Sequence, residues 1–198
     1  TNLTLPIVAL GAGAVKLASD FEESLNKVNV SFGESSKEVE AFAKTTLKSF
    51  GLAEGSALDM AALFGDMGTS MGLTQKEAAG MSTSLVGLAG DLASFKDINI
   101  DIAQTALASV FTGETESLKK LGVVMTQANL QQFALEQGIT KTIKQMTQAE
   151  KVQLRYNFVI AQSSNALGDY ARTSDGVANS TRSLQESVKE LGQQFGKE

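Results

Sequence analysis

An all-α chain, an array of short-to-medium amphipathic helices, is predicted by three features of the sequence. Apolar residues recur every three or four positions along most of the chain, the period of one face of an α-helix. Proline, which breaks helices, occurs once, at Pro6. Two Thr-x-x-Glu sequences, at Thr74–Glu77 and Thr147–Glu150, have the form of capping boxes that open helices. The 198 residues allow one sizeable domain, and 1–198 is read as a single helical unit. A start at Thr1 rather than Met predicts a piece of a longer protein.

The elements follow in order. Ile7, Leu10, Ala14, Leu17, Phe21, Leu25, Val28 and Phe32 make one stripe along an opening helix within 1–32. It runs from Pro6 to Val30, roughly 37 Å at 1.5 Å per residue, with Pro6 in its first turn and Gly33 ending it. Ser35 or Ser36 then caps a second helix carrying Val39, Phe42, Thr46, Leu47 and Phe50, and Gly51 stops it. A third helix begins after Ser56 with Leu58, Ala61, Phe64, Met67 and Met71. The capping box at Thr74 opens a fourth, with Ala78, Met81, Leu85, Leu88, Leu92 and Phe95 inward.

Asp101 caps a fifth helix that buries Ala103, Ala106, Leu107, Val110 and Phe111 and ends at Gly113. A short sixth runs from Thr115 to Gly122. Thr126 caps a seventh holding Leu130, Phe133 and Ala134. The short apolar runs Val123–Met125 and Ile139–Ile143 flank it and leave room for one small β-ribbon around residues 123–143. The box at Thr147 starts a long helix burying Val152, Tyr156, Val159, Ser163 and Leu167. After a break at Thr173–Gly176, Val177, Thr181, Leu184, Val188, Leu191 and Phe195 form a last stripe of near-heptad spacing on a C-terminal helix, 177–198. Such stripes ordinarily face the core of their own domain. A near-heptad seam can also supercoil with a copy of itself, so self-association through the first and last stripes is expected.

Composition restricts the chemistry. The chain has no His and no Cys, which removes Ser-His-Asp triads, Cys nucleophiles, disulfides and the usual zinc ligand sets. A net charge of −5, with Lys119–Lys120 as the adjacent basic pair, argues against a dedicated nucleic-acid binder. The apolar run Leu5–Val15 ends at Lys16, short of the ~20 residues that cross a membrane. Glu116-Ser117 matches a dipeptide of lytic transglycosylases, but no aromatic groove accompanies it, and acidic residues at a helix start are explained by the helix dipole. Asp97–Asp101 has the alternating oxygens of a calcium loop without its glycine and distal Glu. Gly11–Ala14 lacks the strand and the Gly-Lys-Ser/Thr ending of a phosphate loop. It reads, with Gly68/Gly72 and Gly87/Gly90, as a small-residue patch for close helix contact. Met60, Met67, Met71 and Met81 read as core filler. No residue is assigned a catalytic, cofactor-binding or metal-binding role, and the chain is read as a non-enzyme.

Three stretches carry a wider pattern: Leu5–Lys16 with Ala18-Ser19-Asp20-Phe21-Glu22, then Ser109–Thr126, then Tyr170–Asn179. In content, order and spacing they resemble the core region of tape measure proteins of long-tailed phages and prophages. One departure is Val177, where many relatives carry tryptophan. The resemblance implies a structural role in tail assembly: several copies organise tail tube polymerisation, set tail length, occupy the lumen and leave before the DNA. It implies tail tube, tail tip and assembly chaperone proteins as partners, no cofactor, and a location in the virion tail lumen after assembly in host cytoplasm. The alternatives are a helical secreted or adhesion module and a cell-wall lytic domain built around Glu116.

Overall fold

The computed structural model describes residues 4–195, with side chains from residue 13 onward except those of residues 14 and 195. Pro6 falls in the first turn of the opening helix, Thr4–Phe32, as expected, while the expected packing of the Ile7, Leu10, Ala14 and Phe195 side chains lies outside what is described. So does the contact patch at Gly11–Ala14, apart from Gly13, which has nothing close to it. The described residues are predominantly helical, and none forms a strand.

Helix α1 (Thr4–Phe32) leads through a 3-10 turn at Gly33–Ser35 into α2 (Ser36–Ala43) and α3 (Thr46–Phe50). The second predicted helix is thus two. The chain unwinds at Lys44–Thr45, and the Thr46 hydroxyl bonds the carbonyls of Ala43 and Leu52 at 2.7 and 2.9 Å. Neither Ser35 nor Ser36 caps it: Ser35 makes no capping bond and Ser36 is already helical. Gly51 does end α3, in the left-handed region at φ 65. A side chain there would also meet the Tyr170 ring, at 2.6 Å from Cε2.

Helices α4 (Glu54–Ser70) and α5 (Gln75–Phe95) follow as a hairpin and supply the middle of the core. Helix α4 starts before Ser56, and no side chain of its own caps it. Gly72 forms the tight turn to α5 at φ 93 and is not part of a contact patch. The capping box at Thr74 and Glu77 forms as expected, with Thr74 N–H donating to Glu77 at 2.9 Å and Glu77 N–H donating back at 3.2 Å. Ala78, Met81, Leu85, Leu88 and Leu92 are buried, but Phe95, at the helix end, is 45% exposed.

The fifth predicted helix is α6 (Ile100–Leu107) and α7 (Ser109–Thr112), kinked at Ala108. Its cap is Asn99, whose side chain accepts from Asp101 N–H at 3.0 Å, so Asp101 is the residue capped. The sixth is a 3-10 helix, Thr115–Leu121. Its three-residue period stacks Leu118 above Leu121, and both are buried. Helix α8 (Gln127–Glu136) is capped by Thr126 as expected, and α9 (Gln148–Gln162) by the second box. Val152, Val159 and Ser163 are buried and Tyr156 half-buried. Leu167 lies beyond the helix and is 41% exposed.

The β-ribbon around 123–143 does not form. Val123–Met125 takes no regular secondary structure, with Val123 and Met125 buried and Val124 exposed, and part of its backbone is satisfied locally. Val123 N–H donates to the Leu118 carbonyl, while Thr115 and Asn129 side chains donate to the carbonyls of Met125 and Val124. Across from it, Gln131 occupies both the Lys141 carbonyl and the Ile143 N–H. Several of the backbone groups that a ladder would use are thus taken by side chains or by the adjoining turns.

The buried apolar residues form one cluster reaching from Phe21 to Ala166. Phe64 and Phe111 stack at 5.7 Å within it, and Phe133 meets Phe158 edge-on at 5.4 Å. Helix α1 lies along α4, and the chain closes with α10 (Asp169–Thr173) against α5 and α11 (Val177–Phe195) against α1.

Candidate interaction surface

Helix α11 is seated the opposite way from an ordinary amphipathic helix. Its buried residues are Asn179, Glu186 and Gln193, at 5%, 6% and 7% exposure, spaced seven apart. Its apolar stripe faces solvent: Val177, Leu184, Val188 and Leu191 are 86%, 66%, 61% and 52% exposed. The expectation that this stripe packs into its own domain is corrected accordingly.

Polar groups face inward because the body offers them helix ends. The Glu186 carboxylate accepts from Ala53 N–H and from the Ser56 hydroxyl, both at 3.0 Å. It thereby supplies, from 130 residues away along the chain, the cap that α4 lacks. A carboxylate at a helix N-terminus is favoured by the helix dipole. Hydrogen bonds to a charged group contribute about 1.5–3 kcal/mol net. The other oxygen of Glu186 holds Lys189. One turn earlier, Arg182 bonds the carbonyls of Ala93 and Ile98 at 3.2 and 3.3 Å. It places a cation at the C-terminal end of α5, again with the favourable sign. The Gln193 amide rests on Gly55, at the start of α4.

A polar hub joins α5, α10 and α11. Asp91, nearly fully buried within α5, accepts from Gly168 N–H at 2.7 Å and Tyr170 N–H at 3.2 Å. Burial pushes its carboxyl pKa up, the two N–H bonds pull it down, and nearby Asp169 adds to the rise. Asp169 accepts from the Ser94 hydroxyl at 2.6 Å, and Ser94 accepts from Asn179 at 2.8 Å. Tyr170 and Ser183 share a short hydroxyl contact. Each polar atom in this chain of contacts has a partner, as a buried network requires.

The carboxylate considered for lytic chemistry is placed differently. The Glu116 side chain is 84% exposed and paired with Lys119 at 2.8 Å. Among the described residues, no group of three or more His, Cys, Asp or Glu residues is placed to hold a metal ion. Likewise, no helix among them is long and apolar enough to cross a membrane.

Sequence reading found the stripe of α11 and missed the residues that seat it. Asn179, Glu186 and Gln193 follow the same seven-residue period on the opposite face, which was the available signal. Polar residues opposite an apolar stripe ordinarily mark the solvent side, so the period alone did not reveal the seat. No protein-family model matches the chain, and searches of curated proteins and of solved structures return no significant match.

Proposed function

We propose that the chain is a non-catalytic assembly module of a phage tail tape measure protein, one that helps organise tail tube polymerisation and tail length. The observation that carries this reading is the outward apolar stripe of α11, held in place by buried polar bonds. Exposed contiguous apolar surface marks interaction sites in stable proteins. A helix anchored so that this surface points away from its own core suits a part made for assembly. The resemblance over Ser109–Thr126 and Tyr170–Asn179 supplies the kind of assembly. The second of these stretches contains the hub residue Tyr170 and the anchor Asn179.

In this reading copies of the chain associate with one another and with tail tube, tail tip and chaperone proteins. They do so in host cytoplasm and then in the tail lumen. The cell-wall lytic alternative is disfavoured by the exposed, ion-paired setting of Glu116, which gives a general acid no desolvated pocket.

An in-frame deletion of this segment from the parent protein, followed by electron microscopy of tails, tests the proposal. A domain that nucleates assembly should leave no tails when deleted. A threaded helical ruler would instead shorten them by about 1.5 Å per residue removed. The packed, capped helices favour the first outcome. Normal numbers of full-length, infectious tails would overturn the tail-assembly reading.

A further inference from the structure

We infer that α11 is a latch: it lifts as a unit off a body that stays folded, and its lifting uncaps α4. The device belongs to the chain itself and is read in solution, apart from any role in tail assembly.

The composition of the docked face carries the inference. Among the described residues, no apolar side chain of α11 is buried, and none joins the hydrophobic cluster. The helix is held instead by Asn179 on Ser94 and Thr173, by Arg182 on the carbonyls of Ala93 and Ile98, and by Glu186 on Ala53 and Ser56. Where α11 meets α1 it presents Gly192, at which a β-carbon would lie 2.5 Å from Leu17 Cδ1. The two helices come close there without an apolar side chain of α11 between them. Helix α10, by contrast, is fixed to α5 through the N–H bonds of Gly168 and Tyr170 to Asp91. Between α10 and α11 the link at Asp175 and Gly176 is exposed, and the Gly176 N–H is satisfied locally by the Thr173 carbonyl at 2.9 Å.

Docking of this kind is easily undone. Most openings are unfavourable because they bring apolar surface into water. Lifting α11 mainly exchanges hydrogen bonds to protein for hydrogen bonds to water, and each such exchange has a small net effect. The outward stripe is exposed in either state. Parts of a protein with few buried apolar contacts open at lower free energy than its core, so α11 opens while α4 and α5 stay packed. Helical stability in proteins comes mostly from packing, so the released segment loses its winding and its amides exchange together. The Ala53 N–H shares that fate, because its acceptor is Glu186, 133 residues away along the chain.

Native-state hydrogen exchange of the 198-residue chain, repeated at several low urea concentrations, tests the latch. The amides of α11 and of Ala53 should share one protection factor, at least about tenfold below that of Leu85 and Leu88 in α5. That shared protection should fall little with urea, since the slope follows the surface exposed. Glu186→Gln keeps the shape of the catch without its charge, and should lower protection of α11 and Ala53 together by about tenfold. Val159→Ala, at a fully buried core position of α9, should lower protection of Leu85 and Leu88 and leave α11 and Ala53 unchanged. The latch is overturned if α11 shares the protection and urea dependence of α5, if it frays residue by residue from its end, or if its amides are unprotected. It is equally overturned by an Ala53 amide as protected as the middle of α4, by an α11 that responds to Val159→Ala, or by one indifferent to Glu186→Gln.

Discussion

Asp91 is the residue whose setting has the clearest consequence in solution. In the unfolded chain its carboxyl titrates near the ordinary value of 3.8, and in the fold burial raises it. A raised folded pKa means that the native state holds the proton more tightly than the unfolded one. The stability this group contributes is therefore complete below the ordinary aspartate value and is lost as pH rises through the raised one. The capping-box residues Glu77 and Glu150 have the opposite sign. Side-chain and backbone hydrogen bonds from Thr74 lower the first, and bonds from Lys141 and Thr147 lower the second. Comparison with Asp91→Asn cancels those shared contributions. From about pH 4 upward, denaturant titrations should show the wild type losing stability relative to the variant. A difference that stays constant between about pH 3 and pH 7 would contradict this placement of Asp91.

At the scale of elements, close packing of α5 depends on Gly90. A β-carbon there would lie 2.7 Å from the Cβ of Phe50 and 3.1 Å from its backbone oxygen, so α3 could not stay where it is. Gly90→Ala should cost about 1–3 kcal/mol in thermal or urea unfolding, despite the better helix propensity of alanine. A variant as stable as wild type would show that α3 does not press on α5. This contact is one the sequence made legible, since Gly87 and Gly90 read as a small-residue patch, and Phe50 fills it. Helix starts at Thr74, Thr126 and Thr147 were equally legible, because a capping bond closes over three residues and its signal is local. The start of α4 was not. Its cap comes from Glu186, and nothing near Ser56 announces a partner so far along the chain. The 3-10 winding of Thr115–Leu121 was also hidden. Leu118 and Leu121 satisfy a three-residue period as well as an α-helical one. The same limit explains the absent ribbon: Val123–Met125 alternates as a strand would, but side chains of Thr115, Asn129 and Gln131 take the carbonyls of Met125, Val124 and Lys141 and the Ile143 N–H.

The whole molecule is one hydrophobic body with its last helix worn polar side in. The seating of α11 decides whether the chain is a closed domain or a protomer with a surface prepared for another molecule. If the stripe turned inward, the helix would join the core and the Glu186 cap on α4 would be lost. The interaction surface was half legible. Heptad spacing marked the stripe, while the choice of which face to bury depended on helix ends belonging to α4 and α5. Single cysteines introduced into the cysteine-free chain measure this choice directly, through thiol-labelling rates at dilutions where the chain is monomeric. Thiols at positions 184 and 188 should react at nearly the rate of an unfolded thiol, and those at 179 and 193 many times more slowly. Protection at 184 and 188 with rapid labelling at 179 and 193 would mean that α11 buries its apolar face, contradicting both its polar seat and the latch built on it.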